Sequence, residues 1–146
     1  MINLKHGELT HAIIAAAFEV HRGLGHGFLE KVYQRAMQAE LQQRGLQVDA
    51  EFPIRVTYKG SDVGDYAADL FVERRVLVEL KVAKEYNPKD EPQLLNELKA
   101  TGVEVGLLIN FGADKVEFKR FVFTDVSAFR PNVDSPDREE EAGSRG

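Results

Sequence analysis

Two short apolar runs either side of a charged break set the pattern of the chain. In the first, Tyr66, Ala68, Leu70 and Val72 alternate with more polar positions; in the second, Val76, Val78, Leu80 and Val82 alternate with Leu77, Glu79 and Lys81. Glu73, Arg74 and Arg75 lie between them, which predicts a β-hairpin. Directly opposed residues of an antiparallel pair share a face, so a one-residue slip would turn one apolar set outward. The tightest allowed register takes Glu73–Arg75 as a three-residue loop and sets Val72 opposite Val76. Asp69 then falls opposite Glu79, and Ala67 opposite Lys81.

Periodicity predicts the remaining elements. Leu9, Ile13, Ala16 and Val20 recur at helical spacing and give an amphipathic helix from Gly7 to about Arg22. A glycine-rich connector ends at Gly27, and a second helix runs from about Phe28 to Arg44, with Leu29, Val32, Ala36 and Ala39 as its apolar face. The connector lacks a Gly-Lys-Ser/Thr ending and follows no strand, so a nucleotide-binding role is not expected of it. Val48 to Tyr58 alternates as one half-buried strand, in which Pro53 requires an edge or a bulge. Asp90 and Gln93 have the spacing of a capping box opening a helix that Gly102 ends. Two strands follow, Val103–Phe111 and Lys115–Thr124. The order α, α, β, β, β, α, β, β predicts a mixed α/β sheet with helices packed on it.

Composition adds limits. The 146 residues suit one domain over 1–130, and the polar stretch 131–146 reads as a disordered acidic tail. That tail carries five acids against two bases and so much of the formal net charge of −5. The absence of cysteine excludes disulfide and thiolate chemistry, and fits a cytoplasmic protein. No run is apolar enough for a membrane span, and the start shows no signal-peptide pattern.

The candidate chemistry lies on the hairpin. Opposed Cβ atoms stand about 4.5–5.5 Å apart, so Asp69 and Glu79 would repel unless a cation or shared proton offset them. A hard divalent cation held by carboxylate oxygens is the simplest resolution, with Lys81 as a nearby point charge. A hairpin with a solvated polar face is the plainer alternative.

Four segments together resemble a known family. They are Gly27-Phe-Leu-Glu30-Lys-Val-Tyr33, Ala68-Asp69-Leu-Phe-Val72, Val78-Glu79-Leu-Lys81 and the run from Gln93 to Gly102. They resemble, in order, the GxxExxY family of the PD-(D/E)XK nuclease superfamily. The resemblance implies a restriction-endonuclease-like αβββαβ core with an extra N-terminal helix and a C-terminal strand. It implies metal-dependent hydrolysis of phosphodiesters, with Asp69, Glu79 and the Leu80 carbonyl as ligands of Mg²⁺ or Mn²⁺. Lys81 would act on the water or the scissile phosphate, Glu30 would add an acid, and Gln93 matches a glutamine of exonuclease-like branches. The expected partner is nucleic acid, DNA ahead of RNA, with no membrane and with a homodimer allowed. Three accessory positions depart from the family pattern: Ala67, Asp90 and Glu97 stand where arginine, histidine and tyrosine are common. The competing reading is a non-catalytic nucleic-acid or protein interaction module on the same scaffold.

Overall fold

The fold was obtained as a computed structural model, which describes residues 5–124 and 132–134. Two helices come first, α1 (Gly7–Leu24) and α2 (Glu30–Gln43), followed by β1 (Val48–Tyr58), β2 (Ser61–Val72) and β3 (Val76–Lys81). A 3₁₀ turn (Pro88–Asp90) leads into α3 (Glu91–Thr101), and β4 (Val105–Asn110), β5 (Glu117–Val122) and β6 (Asn132–Asp134) complete the chain. The sheet order is β5-β4-β3-β2-β1-β6, with β3 and β4 parallel and every other neighbour antiparallel. A parallel pair needs a crossover, and α3 supplies it. The run α2-β1-β2-β3-α3-β4 is the expected αβββαβ core, with α1 and β5 as the expected additions.

The sheet carries apolar side chains on both faces. On one, Val76, Val78 and Leu80 of β3 pack with Ile13, Ala17 and Val20 of α1 and Tyr33, Met37 and Leu41 of α2. On the other, Leu77 of β3 and Leu108 of β4 pack with Leu94 and Leu98 of α3. β3 and β4 are therefore buried from both sides, as a parallel pair requires. Among the described residues no helix is long and apolar enough to cross a membrane.

Four expectations need correction. The buried face of α2 is Tyr33, Gln34, Met37 and Leu41, whereas Leu29 is 78% exposed and Val32 36% exposed. Packing against the sheet selected a stripe rotated from the one that hydropathy alone suggests. The alternation along β1 also breaks. Val48 joins the α1/α2 face, but Phe52 and Ile54 join the α3 face. The break falls at Glu51, whose φ of 51° is left-handed, between the pairs Ala50–Leu70 and Phe52–Ala68. Ala68 accordingly packs on the α3 face, away from Leu70 and Val72. The capping box does not form, since Asp90 makes no side-chain cap bond and Gln93 turns elsewhere. Finally, Asn132–Asp134, expected in a disordered tail, pairs with Arg55–Thr57 of β1. An open strand edge offers unpaired backbone groups to any passing segment, apolar or not. The rest of the tail lies outside the described residues.

The end of β3 is fixed from β4. Asn110 is 1% exposed and acts as an extra rung: its Nδ2 donates to the Ala83 carbonyl and its Oδ1 accepts from the Ala83 N–H, both at 2.9 Å. Gly112 lies against the same backbone, where a Cβ would come within 2.3 Å of the Ala83 carbonyl oxygen. Backbone cannot yield as a flexible side chain does. Gly112→Ala is expected to cost about 3 kcal/mol, read as a lower urea midpoint. An unchanged midpoint would mean that the two segments are not in contact.

Candidate active site

The hairpin loop forms as parity requires. Glu73 and Arg74 both adopt φ near +50°, and the Arg75 N–H closes on the Val72 carbonyl at 3.0 Å. Val72 pairs with Val76, Phe71 with Leu77 and Leu70 with Val78. The next step would bring Asp69 and Glu79 together as ladder partners, but here side chains replace the ladder. The Leu80 N–H donates to Asp69 Oδ2 at 2.7 Å, and the Asp69 N–H lies 3.3 Å from Glu79 Oε2. The strands fork at this point, with Asp69 in the fork. The amide and carbonyl of one strand residue leave on the same side, so the Leu80 carbonyl also faces β2.

Glu79 and Glu97 at the fork are buried and Asp69 is half-buried, whereas Glu30 is exposed at its rim. Glu79 is 3% exposed, and its carboxyl is pushed up to about 10, by burial first, then by contact with Glu97 and by the Asp69 charge. Burial also raises Asp69, against the opposing influence of the Leu80 N–H and the Lys81 ammonium. Glu30, at the start of α2, is raised by burial and by Asp69, with Lys81 acting in the opposite sense. Desolvation disfavours a carboxylate, and neighbouring acids add to it.

Of the sequence-predicted residues, Asp69, Glu79, Leu80 and Lys81 therefore meet at one fork. Glu30 faces the same place from α2. Gln93 arrives from α3, its Nε2 lying 3.2 Å from Glu79 Oε1 and 3.3 Å from Glu97 Oε2. Two participants escaped the sequence reading. Gln34 donates from Nε2 to the Asp69 carbonyl at 2.9 Å, holding the fork from α2. Its spacing of four from Glu30 on a helix was the available signal. Glu97 appeared only as a departure from a pattern, yet it is 1% exposed and held by burial above the ordinary carboxylate range. A charge four residues after Gln93 on the same helix face was its signal.

Gly27, Glu30 and Tyr33 act together through the loop before α2. Gly27 has φ of 111°, a conformation that side-chain-bearing residues rarely adopt. Tyr33 is fully buried, stacks on Phe111 at 4.7 Å, and donates its hydroxyl to the Gly25 carbonyl. Tyr33 is thus a structural anchor that presents Glu30. Tyr33→Phe should cost about 1–2 kcal/mol, with faster amide exchange at Gly25–Phe28; unchanged exchange there would contradict the anchoring role.

Among the described residues no three acidic or imidazole side chains already stand in a ligating arrangement. The donor set nevertheless fits a hard divalent cation, because Asp69, Glu79 and the Leu80 carbonyl offer oxygen ligands only. A buried carboxylate oxygen, Glu97 Oε1, also receives no N–H or hydroxyl, while the Glu97 and Glu79 carboxyls share a hydrogen bond that requires a proton.

Residues 7–121 match the family described as the PD-(D/E)XK nuclease superfamily. No curated protein matches the chain. Two of the similar solved structures cover most of this chain. The crystal structure of SSO0001 has a TM-score of 0.50 at 16% identity, over 80% of this chain and 58% of that one. An alkaline exonuclease from Laribacter hongkongensis has a TM-score of 0.49 at 13% identity, over 97% of this chain and 79% of that one. At 16% identity the likeness to SSO0001 is one of fold, and this chain spans only 58% of that protein's length.

Proposed function

We propose, on the premise that this chain belongs to the PD-(D/E)XK nuclease superfamily, that it is a divalent-metal-dependent nuclease of the GxxExxY group. Its substrate is nucleic acid, DNA ahead of RNA. The observation that carries this reading is the fork between β2 and β3, where Asp69, Glu79 and the Leu80 carbonyl face one another beside Lys81. These three residues would hold Mg²⁺ or Mn²⁺, which when bound polarises a phosphate and acidifies water.

The chain's own side chains do the rest. Lys81 places a positive charge among Asp69, Glu30 and Glu97, where it can offset charge developing on a phosphate oxygen or orient the attacking water. Glu30 supplies a further acid from α2, and Gln93 orients Glu79 through its amide. Hydrolysis joins the water oxygen to phosphorus as the bond to the leaving sugar oxygen breaks; the water gives up one proton to solvent or a nearby carboxylate, and the leaving oxygen takes up one from solvent.

A second reading, a non-catalytic interaction module, draws on one observation: Asp69 Oδ2 is already engaged by the Leu80 N–H. The deciding experiment incubates purified protein with Mn²⁺ and single- and double-stranded DNA and RNA, beside Glu79→Ala. Metal-dependent cleavage by the wild type and none by the variant is expected. Binding without cleavage of any substrate would favour the module.

A further inference from the structure

Glu97 has no assigned role, and its environment is unusual for an acid that merely packs a helix. It lies in the middle of α3, is 1% exposed, and its carboxyl contacts that of Glu79. One oxygen, Oε2, receives the Gln93 amide at 3.3 Å. The other, Oε1, is buried and receives no N–H or hydroxyl, and the hydrogen bond between the Glu97 and Glu79 carboxyls needs a proton that is lost when both ionise. A buried polar atom left unpaired is costly, and burying an unpaired carboxylate costs more. Buried polar atoms in native proteins are otherwise nearly always satisfied by protein, water or an ion.

The surroundings narrow what could satisfy it. The Gln93 Nε2 reaches both Glu79 Oε1 and Glu97 Oε2, so a single amide bridges the two acids. Asp69 and Lys81 both act electrostatically on the Glu97 carboxyl, which places it within the same cluster. Four carboxyls from four elements, Glu30, Asp69, Glu79 and Glu97, thus gather around the Lys81 ammonium, with Lys31 a weaker positive influence on Glu30 and Asp69. That excess of acid disfavours an anion on its own and suits a hard cation.

We propose that Glu97, through Oε1, is a further carboxylate ligand of the divalent cation held at Asp69 and Glu79. Gln93 is then a positioning residue that sets Glu79 and Glu97 at the spacing the cation needs. The proposal rests on the nuclease reading for the existence of the cation, and adds a ligand from α3 to those on β2 and β3. It also accounts for the glutamate at a position where relatives commonly carry tyrosine. Here the helix contributes charge in place of a phenol.

The test is a Mn²⁺ titration of the metal-free full chain at pH 8, following the free-ion electron paramagnetic resonance signal, with no substrate present. Wild type, Glu79→Gln and Glu97→Gln are compared. Glutamine keeps the size of Glu97 and can still accept from Gln93, so folding should survive, as far-ultraviolet circular dichroism would report. Glu97→Gln is expected to weaken Mn²⁺ binding at least about tenfold. Wild-type affinity in Glu97→Gln, with loss in Glu79→Gln, would overturn this proposal alone and leave Glu97 as a proton-sharing neighbour. Absence of Mn²⁺ binding by the wild type would overturn the cation site itself, and the nuclease reading with it. Should Glu97→Gln not fold, Glu97→Asp shortens the side chain while keeping its charge. Weakened binding in Glu97→Asp supports the ligand role, and unchanged binding rejects it.

Discussion

Lys81→Ala should reduce phosphodiester cleavage by about 10²–10³-fold or more, the usual consequence of removing one preorganised charge from a transition state. Lys81 ends β3 on the same face as Glu79, and its ammonium acts on Glu30, Asp69 and Glu97. Its position is fixed from behind, because Asn110 and Gly112 hold the Ala83 backbone that follows it. Affinity for nucleic acid should change little by comparison. One phosphate contact contributes about one unit of salt slope at most. The contrast is with Arg74 and Arg75 at the hairpin tip, beyond the paired part of β2 and β3. Neutralising both should alter binding, if anything, and leave the cleavage step in place. Cleavage rates and salt-dependent affinities, measured on one substrate for both variants, separate the two effects. A Lys81→Ala protein that cleaves at the wild-type rate would remove Lys81 from the chemistry.

The second large effect concerns stability without metal. Glu79 has a folded-state pKa raised from 4.5 to about 10. Below the lower value both folded and unfolded chains hold the proton, and burial costs nothing extra. Between the two values the unfolded chain releases a proton that the folded chain keeps, so stability falls as pH rises. By neutral pH the loss is on the order of 3 kcal/mol, and it levels off once the folded-state carboxyl ionises. Asp69, Glu30 and Glu97 are shifted in the same direction and add to the slope. Glu79→Gln carries no such proton, so the metal-free variant should exceed the wild type by a margin that grows from pH 5 to pH 9. Urea midpoints across that range, with chelator present, measure it. A variant less stable than the wild type at pH 8 would show that the carboxylate has a stabilising partner. Divalent cation should reverse the order, because it favours the ionised wild-type site and gains little from the amide.

The hairpin shows how much of this was legible in the sequence. The side-chain period of two, together with the need to bury Val72, Val76, Leu70 and Val78, allowed one tight register, and that register is observed. It placed Asp69, Glu79 and Lys81 together before any fold was known. The motif at Gly27, Glu30 and Tyr33 was equally visible, although the helix begins only at Glu30, so the glycine serves the loop. Element order followed from periodicity and from the glycine that ends α3.

What the sequence could not convey has a common physical origin. Periodicity assumes unbroken geometry, and the left-handed Glu51 breaks it, sending Phe52 and Ile54 to the face opposite Val48. Hydropathy marks a helix as amphipathic but does not say how it is rotated on the sheet. That rotation buried Tyr33 and Gln34, exposed Leu29, and brought Gln34 onto the Asp69 carbonyl. The same holds for α3, where the local rule assigned Gln93 to a helix cap, although the family resemblance names it as a site residue and marks Glu97 only as a departure. Packing of Leu94 and Leu98 instead turned Gln93 and Glu97 toward Glu79. Local chemistry along the chain thus determined which strands carry the acids. Only the docking of α2 and α3 on opposite faces of the sheet decided which helix residues meet them, because that depends on side chains far apart in sequence filling the same space.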